Sequence, residues 1–306
     1  MLCQGKDMSH VNTPNFKTLS LEDRPIIEKY ISAYKPYSDF NFFSLWGYMN
    51  NKCQWSIVHD NLALILVDYL TQKRFLTFIG TSEVSRTTTD LLSLAQTLKV
   101  DPILKLVPKD TVDADPSLSE LFDVKKDMDS ADYILDIGLL SSMSGKYYAN
   151  KRHELNRFLK TYSDYKIMIT TVDKHREHIE SVFDQWTLTR TDHDWRHEHT
   201  ALMKVLNQKE IPYLLYAFEV NSKPAGFAII EELKDNYAML HYWKADKSLT
   251  NAYSFLMHSV AQDLFTKGYK YLNFQQDLGL DYLRESKPRW HPVFFLEKFT
   301  ITRHGL

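Results

Sequence analysis

The sequence predicts an α+β fold, mixed sheet flanked by helices, in which one order of elements runs twice. Three observations predict it. Short apolar runs of strand character alternate with stretches whose apolar residues recur at helical spacing. Residues 16–145 read helix, helix, three strands, helix, strand, helix, strand, and residues 165–306 repeat that order after one leading strand. The chain carries no low-complexity segment, and 44% of its 306 residues are hydrophobic, enough for a sizeable core.

In the first half, LEDRPIIEKYISAY (21–34) spaces its apolar residues for a helix, with Ser20 as N-cap, and FNFFSLWGYM reads as a second, buried helix. QWSIVHD, NLALILVDYL and RFLTFIG read as strands, the first two joined at His59-Asp60-Asn61. SEVSRTTTDLLSLAQTLK is helical, ILKLVPKD is a strand ended by Pro108, PSLSELFDV is a short helix and YILDIGLL a closing strand. In the second half YKIMITTV is a strand, followed by helices over KHREHIESVFDQWTLTR and RHEHTALMKVLNQKE. PYLLYAFEV and AGFAIIEEL form a hairpin through NSKP, and YAMLHYWKAD is the third strand. A long helix stops at Gly268, and KYLNFQQD, LDYLRESK and PVFFLEKFTI give strand, helix, strand. This is the order of the GNAT acyltransferase fold, here in tandem. The expected units are 16–145, a linker helix over 146–164, and 165–306.

Charge and cysteine content bound the function. A net charge of -2 supplies no global basic field for nucleic acid, and Cys3 and Cys53 have no metal-type spacing. The N-terminal stretch lacks an apolar signal core and no apolar run reaches the roughly 18 residues of a membrane helix, so a cytoplasmic monomer is expected. Local charge is another matter. The linker carries Lys146, Lys151, Arg152, Arg157 and Lys160 on an amphipathic helix. That face is either a solvated surface or a contact for phosphate on tRNA, lipid or CoA, in which Lys151, Arg152 and Arg157 would take part. The last case includes peripheral contact with anionic lipid.

The acid–base inventory centres on two adjoining strands. Strand alternation puts either Glu231 or Glu232 on the side of Phe227 and Ile229, where an inward carboxylate suits a general base for an acceptor amine. His241 and Lys244 lie on the next strand, with His241 and Trp243 expected on one face and Lys244 on the other. In KYLNFQQD, alternation places Asn273, Gln275 and Asp277 together and Gln276 opposite. GNAT strands four and five splay apart, so these polar groups are expected to line the resulting cleft. Tyr282 follows as a candidate proton donor to the leaving group, Asp277 as a strand-end carboxylate, and Arg284 and Lys287 as phosphate or carboxylate binders. The CoA-binding GNAT loop needs glycines so that backbone N–H groups approach the pyrophosphate, yet Lys247-Ser248-Leu249-Thr250-Asn251-Ala252 contains none. His193 and His197 share a helical spacing, but no third ligand follows, so no metal is expected.

Several segments together resemble a known family. They are DYILDIGLLSSMSGKYYANKRHELNRF, KPAGFAIIEEL with HYWKAD and NAY, and NFQQDLGLDYLRESKPRWHP, over roughly residues 16–299. The chain resembles the soluble family related to the C-terminal catalytic domain of phosphatidylglycerol lysyltransferase. That resemblance implies a tandem GNAT fold shared with the Fem peptidoglycan aminoacyltransferases, and transfer of an aminoacyl group from charged tRNA to an amine or hydroxyl. It also implies that Trp195, Arg196 and Glu198 belong to a substrate-facing loop. The family pattern has Arg and Glu where this chain has Phe274 and Gln275. Two function classes follow: an aminoacyl- or acyltransferase with an aminoacyl-tRNA or acyl-CoA donor, and a non-catalytic binding module for a lipid headgroup, peptide or tRNA.

Overall fold

His59 and Asp60 both take left-handed backbone, with φ 48° and 62°, and close the expected hairpin as a two-residue turn, with Asn61 already in the next strand. In the computed structural model, which describes residues 14–49, 51–188 and 195–305, the first half begins with β1 (Lys17–Thr18), α1 (Arg24–Ile31) and α2 (Phe42–Gly47). It continues through β2 (Gln54–Val58), β3 (Asn61–Val67), β4 (Arg74–Ile79), α3 (Val84–Leu98) and β5 (Leu104–Pro108). Next come α4 (Lys109–Asp113), α5 (Leu118–Leu121), β6 (Phe122–Asp136) and α6 (Ile137–Ser142). The linker helix is α7 (Ala149–Thr161), anchored by buried Leu155 and Phe158.

The second half holds β7 (Tyr165–Thr170), α8 (Val172–Thr187), α9 (Trp195–Leu206), β8 (Leu214–Val220), β9 (Lys223–Glu232) and β10 (Tyr237–Ala245). It ends with α10 (Ala252–Thr266), β11 (Tyr271–Asn273), α11 (Asp281–Ser286) and β12 (Phe294–Arg303).

Among the described residues these strands form one 12-stranded sheet, in the order β1-β2-β3-β4-β5-β12-β6-β11-β10-β9-β8-β7. The two halves exchange their closing strands. β12 pairs with β5 and β6, and β6 in turn pairs with β11. In each half the pairing is parallel at one place, β4 with β5 and β10 with β11, as the repeated order requires.

Side-chain alternation divides the core between the faces. Leu62, Leu64, Phe227 and Ile229 pack on one face with α2, α8 and α9 residues such as Phe43, Phe183 and Val205. Ala228 and Ile230 face α7 and α10 on the other, while Ala63 and Ile65 face α3. Close strand packing at Gly226 matters here. A Cβ there would lie 2.8 Å from the Lys244 carbonyl oxygen and 3.1 Å from Phe218 Cδ1. Gly226→Ala is therefore expected to push β9 from β10 and cost about 1–3 kcal/mol, the range for overpacking. Chemical denaturation checks this, and an unchanged midpoint contradicts it.

Two expected strands end earlier than the apolar pattern suggested. The run YILDIGLL leaves the sheet at Asp136, whose carboxylate accepts the Leu139 N–H at 2.8 Å and starts α6. The same strand instead begins at Phe122, through charged residues whose backbone is held by β12. KYLNFQQD leaves the sheet after Asn273, because Asn273 Oδ1 takes the Gln275 N–H at 2.7 Å and Gln275 turns to φ 59°. The alternation that grouped Asn273, Gln275 and Asp277 on one face is lost there.

Candidate active site

β10 and β11 are registered only from Tyr237↔Tyr271 to Met239↔Asn273. β10 then runs on to Ala245 while the chain after Asn273 turns away, so the two part. A cavity of about 1010 Å3 occupies the parting. Its wall includes Tyr48 and Trp186, with Lys244 over the Trp186 ring, on one face of the sheet, and Trp243, Tyr253 and Trp290 on the other. The opening thus passes through the sheet.

At the parting β10 carries a bulge. Leu240 pairs with Ile230 but Tyr242 with Ile229, leaving His241 as the extra residue. The bulge overturns the expected faces. His241 and Tyr242 both reach Phe43, His241 by stacking at 3.7 Å between centroids, while Trp243 packs on the opposite side with Phe274 and Trp290.

His241 ends a buried polar chain. Its Nε2 lies 2.9 Å from Glu231 Oε2, which also accepts Asn41 Nδ2 at 2.7 Å. A carboxylate only accepts, so in the neutral ring this contact places the proton on Nε2 and the lone pair on Nδ1. The Gln275 amide nitrogen is 3.4 Å from that Nδ1 and donates to the Leu240 carbonyl at 2.8 Å, tying the two sides of the parting together. Asn41 does double duty. Its Oδ1 caps α2 by accepting the Ser44 N–H at 3.1 Å, so the first half of the chain fixes a carboxylate of the second.

Of the two glutamates, Glu231 is the inward one. Glu232 is exposed at the strand end, 3.9 Å from Lys267, and is not part of this chain. Lys244 pairs with Glu198 at 2.7 Å and lies 3.6 Å over the Trp186 ring, and all three line the cavity. Trp195, Arg196 and Glu198 stand in the first turn of α9 rather than in a loop. Trp195 packs on the core and Arg196 lies over its ring at 5.5 Å, so Glu198 alone of the three lines the cavity. His193 lies outside the described residues, and His197 is exposed, edge-on to Tyr69 at 6.5 Å.

The polar stretch after β11 divides in two. Gln275, Gln276, Tyr282 and Lys287 line the cavity. Asn273 does not; fully buried, it donates to the Pro36 carbonyl at 2.7 Å and to Asp132 at 3.1 Å. Asp277 is also turned inward, accepting from the Tyr133 hydroxyl at 2.6 Å and the Gly279 N–H at 2.8 Å. Arg284 pairs with Asp129 and, at 3.4 Å, with Asp277. These three build the turn that carries the cavity wall, which corrects the expectation that they meet substrate.

Beneath that turn lies a network the sequence reading missed. Lys298, fully buried on β12, donates to Asp39, to Asp132 at 2.7 Å, to Ser38 at 3.2 Å and to Gln276 at 3.3 Å. Burial opposes its charge, but Asp132 and Asp39 outweigh it and hold the ammonium's pKa above its ordinary value. Burial likewise raises Asp39, with Lys298 opposing. A lysine inside the apolar run PVFFLEKFTI was the available signal.

The basic linker separates into three roles. Lys151 lines the cavity, 4.2 Å over the Trp290 ring and 2.8 Å from Glu154. Arg152 instead donates to the Met143 and Gly145 carbonyls and closes the end of α6. Arg157 is exposed on α7. The start of α10 joins Lys151 at the cavity, with Lys247 and Arg289. Three of its backbone donors are engaged: Thr250 N–H bonds the Tyr162 hydroxyl at 3.1 Å, Ala252 N–H the Leu249 carbonyl at 3.2 Å and Ser254 N–H the Asn251 carbonyl at 3.1 Å. Among the described residues no helix is long and apolar enough to cross a membrane.

A family model described as phosphatidylglycerol lysyltransferase, C-terminal, matches residues 32–302. No curated protein matches the chain. A conserved protein of unknown function from Bacteroides thetaiotaomicron is 24% identical with a TM-score of 0.83, over 95% of this chain and 99% of that one. L-PGS from Bacillus licheniformis is 14% identical with a TM-score of 0.61, over 93% of each chain. A tandem GNAT protein from the clavulanic acid biosynthesis pathway is 8% identical with a TM-score of 0.50, over 96% of this chain and 99% of that one. The fold is a tandem GNAT fold.

Proposed function

The chain belongs to the phosphatidylglycerol lysyltransferase C-terminal family, whose function is of transferase type, and on that premise we propose that it moves an aminoacyl group from an ester of aminoacyl-tRNA type to an amine or hydroxyl acceptor. The observation that carries this reading is the Asn41–Glu231–His241 chain ending at the parting of β10 and β11. A lone pair on His241 Nδ1 faces Gln275 across the parting, and a substrate nucleophile takes the place of that amide. As the nucleophile attacks the ester carbonyl, His241 accepts its proton and Glu231 stabilises the imidazolium. The C–O bond of the ester then breaks and the proton goes to the leaving oxygen. Tyr282, on the same wall, is the hydroxyl that can carry it there.

This assignment makes Glu231 the orienting carboxylate and His241 the base. The donor's phosphates meet Lys151, Lys247 and Arg289 at the start of α10. CoA is the less suitable donor, because residues 247–252 hold no glycine and three N–H groups at the start of α10 already have partners. The acceptor is a small molecule, a peptide or a lipid headgroup entering past Tyr48, Tyr69 and Trp186.

Thermal unfolding with CoA and acetyl-CoA tests the donor choice. Saturation at 100 times a dissociation constant adds about 2.7 kcal/mol, so specific binding raises the midpoint measurably. No saturable rise up to millimolar ligand is expected. A saturable rise overturns the preference for an aminoacyl ester.

A further inference from the structure

Lys287 is a buried amine that the proposed chemistry has not yet used. It follows α11 and lines the cavity, and Nζ donates to the carbonyls of Phe274 at 2.7 Å and Gln276 at 2.5 Å. Among the described residues no carboxylate pairs with it directly. Two aromatic rings flank it instead, Phe274 at 5.0 Å and Tyr133 at 5.8 Å. Lys298, by contrast, is fully buried and sits between two carboxylates. The two lysines are built for opposite purposes.

A neutral amine has two N–H bonds and one lone pair, whereas an ammonium has three N–H bonds and none. Two backbone carbonyls therefore satisfy both N–H bonds of the neutral form and leave its lone pair unengaged. From this geometry we infer that Lys287 is a second proton acceptor of the site and that the acceptor substrate is an amine arriving as its ammonium ion.

The proton count explains why an amine acceptor needs it. Aminolysis of an ester by R–NH3+ gives an amide, an alcohol and one surplus proton. Neutral Lys287 removes the first proton from the ammonium and frees the lone pair that forms the C–N bond. His241 then takes the second proton, which ends on the oxygen of the broken C–O bond. Lys287 returns the surplus proton to solvent when product leaves. A hydroxyl acceptor yields no surplus proton and leaves Lys287 without a task.

The electrostatics agree with this use. Burial, the largest influence, pushes the Lys287 ammonium down to about 7. Asp132 on β6 and Asp277 in the turn below favour its charge, and Lys298 on β12 opposes it. The amine is thus poised between its two forms near neutral pH, where proton exchange is most effective.

This inference rests on the transferase reading, and its tests separate the two. Competitive labelling of the whole protein with acetic anhydride across pH, read by mass spectrometry, reports each lysine without any substrate. Lys287 is expected to titrate near 7, while exposed lysines titrate near about 10.4. Titration of Lys287 with the exposed lysines, or no labelling of it, overturns the inference.

The second test uses charged tRNA with n-butylamine against n-butanol as model acceptors. Lys287→Arg keeps a cation that donates but cannot give up its proton, so transfer to the amine should fall by about 10²-fold or more. Transfer to the alcohol should fall less, so the ratio of amine to alcohol transfer drops. Inactivity of the wild-type protein sinks the transferase reading itself, whereas active wild type and an equally active Lys287→Arg variant sink only the inference.

Discussion

Replacing His241 by Gln is expected to lower turnover by about 10²–10⁴-fold, the contribution of a positioned general base. The mutation keeps a polar group of similar reach beside Glu231, so folding should survive, which circular dichroism and the thermal midpoint check. Glu231→Gln acts through His241 instead. Its amide can donate as well as accept, so the ring is no longer held with its proton on Nε2, and the pH profile should change along with the rate. Asn41→Ala removes one donor to the same carboxylate and should give a smaller loss of the same kind. A His241→Gln protein with wild-type turnover removes the base from the mechanism.

The largest expected effect on stability is at Asp132. Its carboxylate accepts the Ser38 N–H at 2.7 Å and hydroxyl at 2.6 Å, Asn273 at 3.1 Å and the Lys298 ammonium at 2.7 Å, with no exposure to solvent. Asp132→Ala strips a fully buried cation of one of its two carboxylates. Removing one member of such a pair costs about 3–5 kcal/mol, because the remaining charge stays desolvated. Denaturant unfolding measures it. The double variant Asp132→Asn with Lys298→Met should recover part of the loss, since it removes the orphaned charge. A loss below about 1 kcal/mol for Asp132→Ala, the scale of an exposed pair, contradicts the account.

The repeated order of helices and strands was readable because each long element has a clear period. NLALILVDYL and AGFAIIEEL are strands that any packing must bury, and the NSKP and HDN turns are set by local backbone chemistry. What the periodicity could not show is the exchange of closing strands. β6 and β12 trade partners through contacts between residues far apart in the chain, and nothing local to YILD or PVFFLEKFTI encodes that choice.

The site was legible in part for the same reason. Alternation along AGFAIIEE expected one of Glu231 and Glu232 to face inward, and in the structure Glu231 is buried and Glu232 exposed. The rule failed at His241, where one extra residue shifts the faces, and after Asn273, where Gln275 turns left-handed. Neither departure has a glycine to announce it. Asn41 was invisible as a site residue, since its capping role in FNFF accounts for it locally. Its second hydrogen bond crosses to a strand 190 residues away.

The measurement that tests the central claim most directly is transfer from tRNA charged with a mixture of labelled amino acids, with and without the protein, in the presence of a primary amine. The account predicts protein-dependent movement of label from tRNA to the amine, lost in His241→Gln. Label that stays on the tRNA with wild-type protein, while charged tRNA or a lipid headgroup is nonetheless retained, contradicts it and makes the cavity a binding site without turnover.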